Sequence, residues 1–380
     1  MKWLYGYLCL FFLIVFHEFG HFFAAKIFGV KVESFSVGFG PKLLHKTING
    51  TDWRLSLIPL GGYCGMKGEK DFQYAIENNL EEIGGEKDSL YGIHPVKRAL
   101  IGFAGPFFNF IFAVIALFVI NFIGYEYSAY SNKVLINLEQ YENNYSAAAE
   151  AGVLSGDRII EINGKKTEDF TDILKIVSTH PDEDLILKIL RQESTQEKEE
   201  ILEITVHTEL NKSQGTGKIG VSADTSEVLK RHTPKYNVFQ AFWHGILDTF
   251  SGIGLTFKGI SLLFKGIDIK NAVSGPARVT EMLGTTVKEG FSGGIKSGIL
   301  STLDLMSIIS ISLFIMNLLP IPILDGGLIL IAIIETVFRR KIKPKIQYYI
   351  QFIGLGFIAI IFVIGLTGDI SYFIGKGKLK

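Results

Sequence analysis

The sequence predicts a membrane protein, in which four transmembrane helices form the core and a small extracytoplasmic α+β domain is inserted between the second and the third. Three observations carry that prediction. Hydrophobic residues make up 48% of the 380 positions without counting 41 glycines, and there are 30 phenylalanines, yet a fifth of the chain is charged and mean hydropathy is +0.30. Apolar and charged material must therefore be segregated along the chain, which a single soluble globule would not require. Four apolar stretches approach or exceed the roughly 20 residues that cross a bilayer as a helix. Between the second and third lies a long segment that alternates apolar and polar residues between turn signals. Lys plus Arg equals Asp plus Glu at 38 each, which removes the basic excess of a nucleic-acid binder.

The first apolar stretch runs from Trp3 to about Phe28. Its core is interrupted by His17, Glu18 and His21 and no Ala-x-Ala site follows, so it reads as a retained span and not as a signal peptide. The second runs from Ala99 to about Ile123, the third from about Leu305 to Phe338 and the fourth from Ile346 to about Leu366. Pro320 and Pro322 break the third. Irregular backbone survives at membrane depth only where protein or water satisfies it, so that break marks a protein-lined cavity. The loop Arg339-Arg340-Lys341-Ile342-Lys343-Pro344-Lys345 carries five cations and no acid, which places it in the cytoplasm. The connection from Lys31 to Arg98 then shares that side, and both termini and the long central segment lie outside.

Within that segment Arg158–Ile162 alternates as a strand ending at an Asn163-Gly164 turn, Phe170–Val177 has helical spacing, and Leu185–Leu190 and Ile201–Val206 return to strands around a polar loop at Gln192–Glu200. Val238 to Phe264 repeats apolar residues at helical spacing, as a helix on the membrane surface or against the spans would. The expected organisation is residues 1–131 as the first half of the membrane core, with two spans and a cytoplasmic-side hairpin loop. Residues 132–225 follow as the α+β domain, 226–298 as an amphipathic helical linker and 299–380 as the second half with two spans.

The sharpest motif is His17-Glu18-Phe19-Gly20-His21. Residues four apart share one helix face, so both imidazoles can converge on a metal while Glu18 lies beside it, able to take a proton from a bound water. Ionisable groups inside a span are functional by default, the alternative being hydrogen bonds to neighbouring helices. Cys9 and Cys64 have no zinc-like spacing, so any metal must be held by His, Asp or Glu. A catalytic zinc takes three protein ligands and an open position, and Asp325, deep in the broken third stretch, supplies the third; taken alone it would read as a turn cap. Asn317, in the same stretch, fits a clamp on substrate backbone or an interhelical hydrogen bond. Asn109 has the same two readings with the interhelical bond preferred. The stretch Trp53 to Tyr63 alternates before Gly61-Gly62, as a hairpin entering the membrane would, and its edge could pair with an unwound substrate strand.

These residues resemble the site-2 proteases, intramembrane zinc metalloproteases, and within them the bacterial regulator-of-sigma-E type. The resemblance rests on His17–His21 with Lys31–Pro41, on Arg54–Tyr63, on Ala104-Gly105-Pro106 and on Asn317–Gly326, while Ala151–Ile160 looks like part of the PDZ domain such proteases carry. It implies a metalloprotease core with an inserted PDZ-like domain in a bacterial inner membrane. His17, His21 and Asp325 would hold zinc, Glu18 would act as general base and then proton donor, and Asn317 would contact substrate. Expected partners are single-pass transmembrane substrates such as an anti-sigma factor or remnant signal peptides, cut after a prior cleavage. Peptide termini at the PDZ-like domain and the lipid bilayer are expected as well, and no nucleic acid. The competing expectation is a scaffold or transporter with a structural metal site.

Overall fold

The computed structural model describes residues 1–136, 146–192, 199–211, 216–262 and 274–378. Among these, four helices are long and apolar enough to cross a bilayer: α1 (Lys2–Ile27), α3 (Pro95–Ile123), α8 (Ile295–Leu318) and α10 (Pro344–Lys378). Helix α8 begins before the expected apolar stretch at Leu305 and ends at the proline break, with Asp325–Phe338 a separate helix, and α10 continues beyond Leu366. Their extra hydroxyls bond back to carbonyls of their own helix, Ser301 to Ser297 O at 2.8 Å, Thr302 to Gly298 O at 2.6 Å and Ser371 to Thr367 O at 2.9 Å, so polar residues continue the helix without stranded donors. The chain divides into two units, residues 1–122, 236–253 and 274–380 in one, and 123–235 with 254–273 in the other.

In the first unit α1 ends where Gly29 turns to φ +78°, letting Val30 N–H reach back to Ala25 O at 2.8 Å. Backbones approach very closely along its length. A Cβ at Gly6 would lie 1.8 Å from Thr280 O and one at Gly284 only 1.9 Å from Lys2 O, so α1 and α7 (Pro276–Ser292) cross through paired glycines. Asp369 of α10 accepts from the N–H groups of Gly275, Ala277 and Arg278 at 2.9, 3.0 and 3.3 Å, capping α7 from another helix. Helix α6 (Val238–Leu262) lies against α3, where a Cβ at Gly245 would sit 2.9 Å from Phe118 N, and Asn121 donates to Asp248 at 2.8 Å. Leu13, Phe112, Ala116, Leu283 and Met306 form the core that joins α1, α3, α7 and α8.

Two long strands follow α1, β1 (Val32–Ile48) and β2 (Thr51–Met66), joined at Asn49-Gly50, both at positive φ. Each strand folds on itself, β1 near Gly38 and Gly40 and β2 near Gly61, all at φ above +80°. Ser34 to Val37 consequently have partners on both sides, Gly65 to Gly62 on one and Asp52 to Leu55 on the other, while Asp52 to Ser56 also pair with Thr47 to Lys42. The order across the sheet is 62–66, 32–37, 51–56, 42–48. This corrects the expected hairpin: the turn is at Asn49-Gly50, Trp53 to Ser56 are interior, and of that stretch only Gly62 and Tyr63 lie on an edge. The short α2 (Glu69–Glu77) comes next. Lys341 and Lys343 of the basic loop reach Glu82 and Glu81 at 3.5 and 2.5 Å, so this loop and the connection after the sheet lie at the same end of the bundle.

The second unit is a β-rich module. A four-stranded sheet runs β6 (Lys165–Lys166), β5 (Arg158–Ile162), β7 (Asp184–Gln192), β8 (Glu199–His207), with the pairs β3 (Glu126–Tyr130) with β12 (Val228–His232), β4 (Val134–Leu135) with β11 (Ser222–Ala223) and β9 (Glu209–Asn211) with β10 (Thr216–Lys218). Helices α4 (Ala147–Glu150) and α5 (Phe170–Ser178) are capped by Ser146 and Asp169, which accept from backbone N–H groups. Alternate residues Leu185, Leu187 and Ile189 join Ile159, Ile162, Ile173 and Val206 in a fully enclosed core. Six residues of the expected loop at Gln192–Glu200, 193–198, lie outside the described residues.

Candidate metal centre and active site

Histidines four apart on α1 project from one face toward α3 and toward the start of α9 (Asp325–Phe338). The ring Nε2 atoms of His17 and His21 are 3.2 Å apart, and the two oxygens of Asp325 lie 3.1 and 3.2 Å from them. One ligand atom from each residue falls within 4.8 Å of the others, and both imidazoles are more than nine-tenths buried. Glu18 is brought to the same place: its Oε2 accepts the backbone N–H of Cys64 at 3.0 Å, so the 62–66 edge strand holds the carboxylate. Asn317, on the last turn of α8, is partly buried and makes no side-chain hydrogen bond among the described residues.

Glycines make the convergence possible. A Cβ at Gly20 would lie 2.3 Å from Ala104 O, which lets α1 and α3 touch, and one at Gly105 would lie 2.2 Å from His21 Nε2 and 2.8 Å from His17 Nε2. A Cβ at Gly102 on the same helix would lie 3.3 and 3.2 Å from the side chains of Leu328 and Ile329 of α9. The chain between α8 and α9 leaves helical geometry at Pro320 and Pro322, and Ile323 is held at φ +86°, strained for a β-branched residue. Neighbours fix that strain in place: a Cβ at Gly354 of α10 would be 2.2 Å from Pro322 O, and one at Gly327 would be 2.6 Å from Ile321 O. Asp325 thus begins its helix at a point set by the packing of α10 and α3.

The donor set suits zinc. In a tetrahedral site with bonds of about 2.0–2.1 Å, ligand atoms lie roughly 3.3–3.4 Å apart; the two Nε2 atoms are within a few tenths of that, and each Asp325 oxygen stands at such a distance from one imidazole. Two imidazoles and one carboxylate also leave a fourth position for water or substrate. The family model for peptidase family M50 matches residues 5–361. The chain belongs to that family. A site-2 protease family member of this kind is a zinc-dependent metalloprotease, and the four apolar helices make it a membrane protein. Relatives named as inferred zinc metalloproteases include one from Treponema pallidum, 32% identical over 98% of this chain and 99% of its own length. Others are from Helicobacter pylori, 36% identical over 96% and 97%, and Campylobacter jejuni, 34% identical over 96% and 92%.

The interhelical hydrogen bond expected of Asn109 is present with His17 as its partner, whereas the contact of His21 with α3 was not foreseen. His21 Nδ1 donates to Ile101 O at 2.8 Å, and His17 Nδ1 lies 3.0 Å from the side-chain amide of Asn109, which is fully buried. Ile101, Gly105 and Asn109 are four apart, so one face of α3 meets both histidines and clears the space between them. That spacing was in the sequence, but nothing in it told which face of α3 would turn to α1.

Proposed function

We propose that this metalloprotease is an intramembrane zinc endopeptidase that cleaves the transmembrane segments of single-pass, membrane-anchored proteins after an earlier cut. An anti-sigma factor and remnant signal peptides are the substrate kinds the reading favours. The observation that carries it is the meeting of His17, His21 and Asp325, from two distant parts of the sequence, beside a carboxylate on a membrane-spanning helix. In this reading the three side chains are the metal ligands, Glu18 is the general base and Asn317 contacts substrate backbone. Bound zinc would lower the pKa of a water and polarise the scissile carbonyl. Glu18, held at Oε2 by Cys64 N–H, receives the water's proton and returns it to the leaving amine. A helical substrate must unwind first, and the 62–66 edge offers outward backbone groups to an extended strand. N-methylated peptide bonds beside the scissile position should then slow cleavage, and equal rates would remove the pairing.

The charge pattern supports a bacterial inner-membrane protein with the basic loop and the sheet in the cytoplasm and residues 132–225 outside as a PDZ-like domain that takes peptide termini. With the native cysteines replaced, an impermeant thiol reagent should label a cysteine at Lys166 in intact cells and not one at Arg340; the reverse pattern would invert the topology. The decisive experiment is Glu18→Gln in purified protein. Zinc content should stay, and cleavage of a transmembrane peptide should fall by at least about 100-fold. Unchanged cleavage would refute the mechanism.

A further inference from the structure

His17 and His21 are oriented by different kinds of partner, and the difference matters for which ring nitrogen is free. The carbonyl of Ile101 can only accept, so His21 Nδ1 carries the proton and Nε2 keeps its lone pair. At His17 the partner is an amide that can do either. As placed, Asn109 Nδ2 points at His17 Nδ1 at 3.0 Å, while Asn109 Oδ1 is buried with no hydrogen-bond partner among the described residues. In that arrangement Nδ1 accepts, the ring proton sits on Nε2 facing Asp325 at 3.1 Å, and Nε2 has no lone pair for a cation. A half-turn of the amide exchanges its two ends without changing its shape. Oδ1 then accepts from Nδ1–H and the Nε2 lone pair points at the space between His21 and Asp325.

We propose that Asn109 is a positioning residue that sets the tautomer of His17, its side-chain oxygen accepting from Nδ1–H so that Nε2 can ligate zinc. The reading rests on His17 being a metal ligand. Asn109 is suited to the task because it is fixed from behind: its own backbone carbonyl accepts the Ser310 hydroxyl of α8 at 2.8 Å, and the residue is fully enclosed. Among the described residues the oxygen has no other hydrogen-bond partner, and a buried polar atom is costly to leave unsatisfied.

The test uses full-length protein in detergent, with zinc affinity measured by chelator competition and ligand geometry by the visible spectrum of the cobalt-loaded form. Asn109→Leu keeps the volume and removes the acceptor, so zinc affinity should fall about 10- to 100-fold, as for other partners of ligating histidines. Thermal unfolding of the metal-free protein, followed in parallel, separates loss of the zinc-ligand geometry from a general loss of packing. Asn109→Asp keeps the acceptor and should bind zinc within about threefold of the parent, with the same cobalt spectrum. Wild-type affinity in Asn109→Leu, or an Asn109→Asp protein that loses zinc as badly as the leucine variant, would overturn the proposal. If Asn109→Leu does not fold, the aspartate variant alone decides. His17→Ala separates the two readings: if it retains zinc, His17 is no ligand and the inference falls with it, whereas loss of zinc there with no effect at Asn109 removes only the role of the amide.

Discussion

At the scale of single residues the tightest constraint is Gly105. Its missing Cβ would lie 2.2 Å from His21 Nε2 and 2.5 Å from Cε1, closer than any real side chain stands, and both partners are imidazoles packed in the bundle. Gly105→Ala should therefore leave helix α3 intact, alanine being the better helix former by about 1 kcal/mol, while displacing the ligand atoms. Zinc per protein and peptide cleavage should both collapse in membranes that still contain normal amounts of the protein; a variant with full zinc would show that the histidines do not meet at this face. The meeting of the three candidate ligands was legible because a spacing of four fixes a shared helix face and because Asp325 is an acid stranded among apolar residues. Gly105 was not, and Asn109 was legible only as an interhelical hydrogen bond without a named partner, since a gap and a buried amide acquire meaning only from what stands opposite. Asn317 stands at the end of α8, beside the broken backbone.

At the scale of elements the segment between α8 and α9 is the part that has least freedom. It places Asp325 by way of two prolines, the positive φ of Ile323 and two glycines that admit neighbouring backbone. Gly354 acts from α10, 29 positions away in sequence from Asp325, through contact with Pro322 alone. Gly354→Val should push the segment off α10 and lower zinc affinity without altering any ligand, and Gly356→Val, which meets nothing within 4 Å, serves as the control in the same helix. Equal zinc affinity in the two variants would mean that α10 does not support the site. The apolar elements were legible from hydropathy, and the three main strands of the second unit at 158–162, 184–192 and 199–207 from alternation, while the short strands around them carry too few residues to show a period. The sheet after α1 was only partly so: its alternation was visible, but the doubling of β1 and β2 depends on glycines near 38–40 and 61 that sequence alone reads as turns of a simple hairpin.

At the scale of the whole molecule the question is whether the membrane core needs the inserted module for its chemistry. The first unit holds all of His17, Glu18, His21 and Asp325, and the second has its own enclosed core around Ile159, Leu187 and Ile189. The ends of the insertion also meet within the core unit, where Tyr236 N–H donates to Asn121 O at 3.5 Å and the Tyr236 ring stacks on His244 with centroids 4.0 Å apart. Bridging that gap takes a few residues, and loop closure over so short a span costs little compared with the packing of α3 against α6. Replacing residues 124–235 by a short Gly/Ser linker should therefore leave zinc stoichiometry and cleavage of a bare transmembrane peptide close to those of the intact protein. If the module tests what reaches the site, the same protein should also cut substrates that still carry a folded outside domain, which the intact protein spares. Loss of zinc would make the module structural, and unchanged selectivity would remove its role as a filter while leaving the peptidase reading intact.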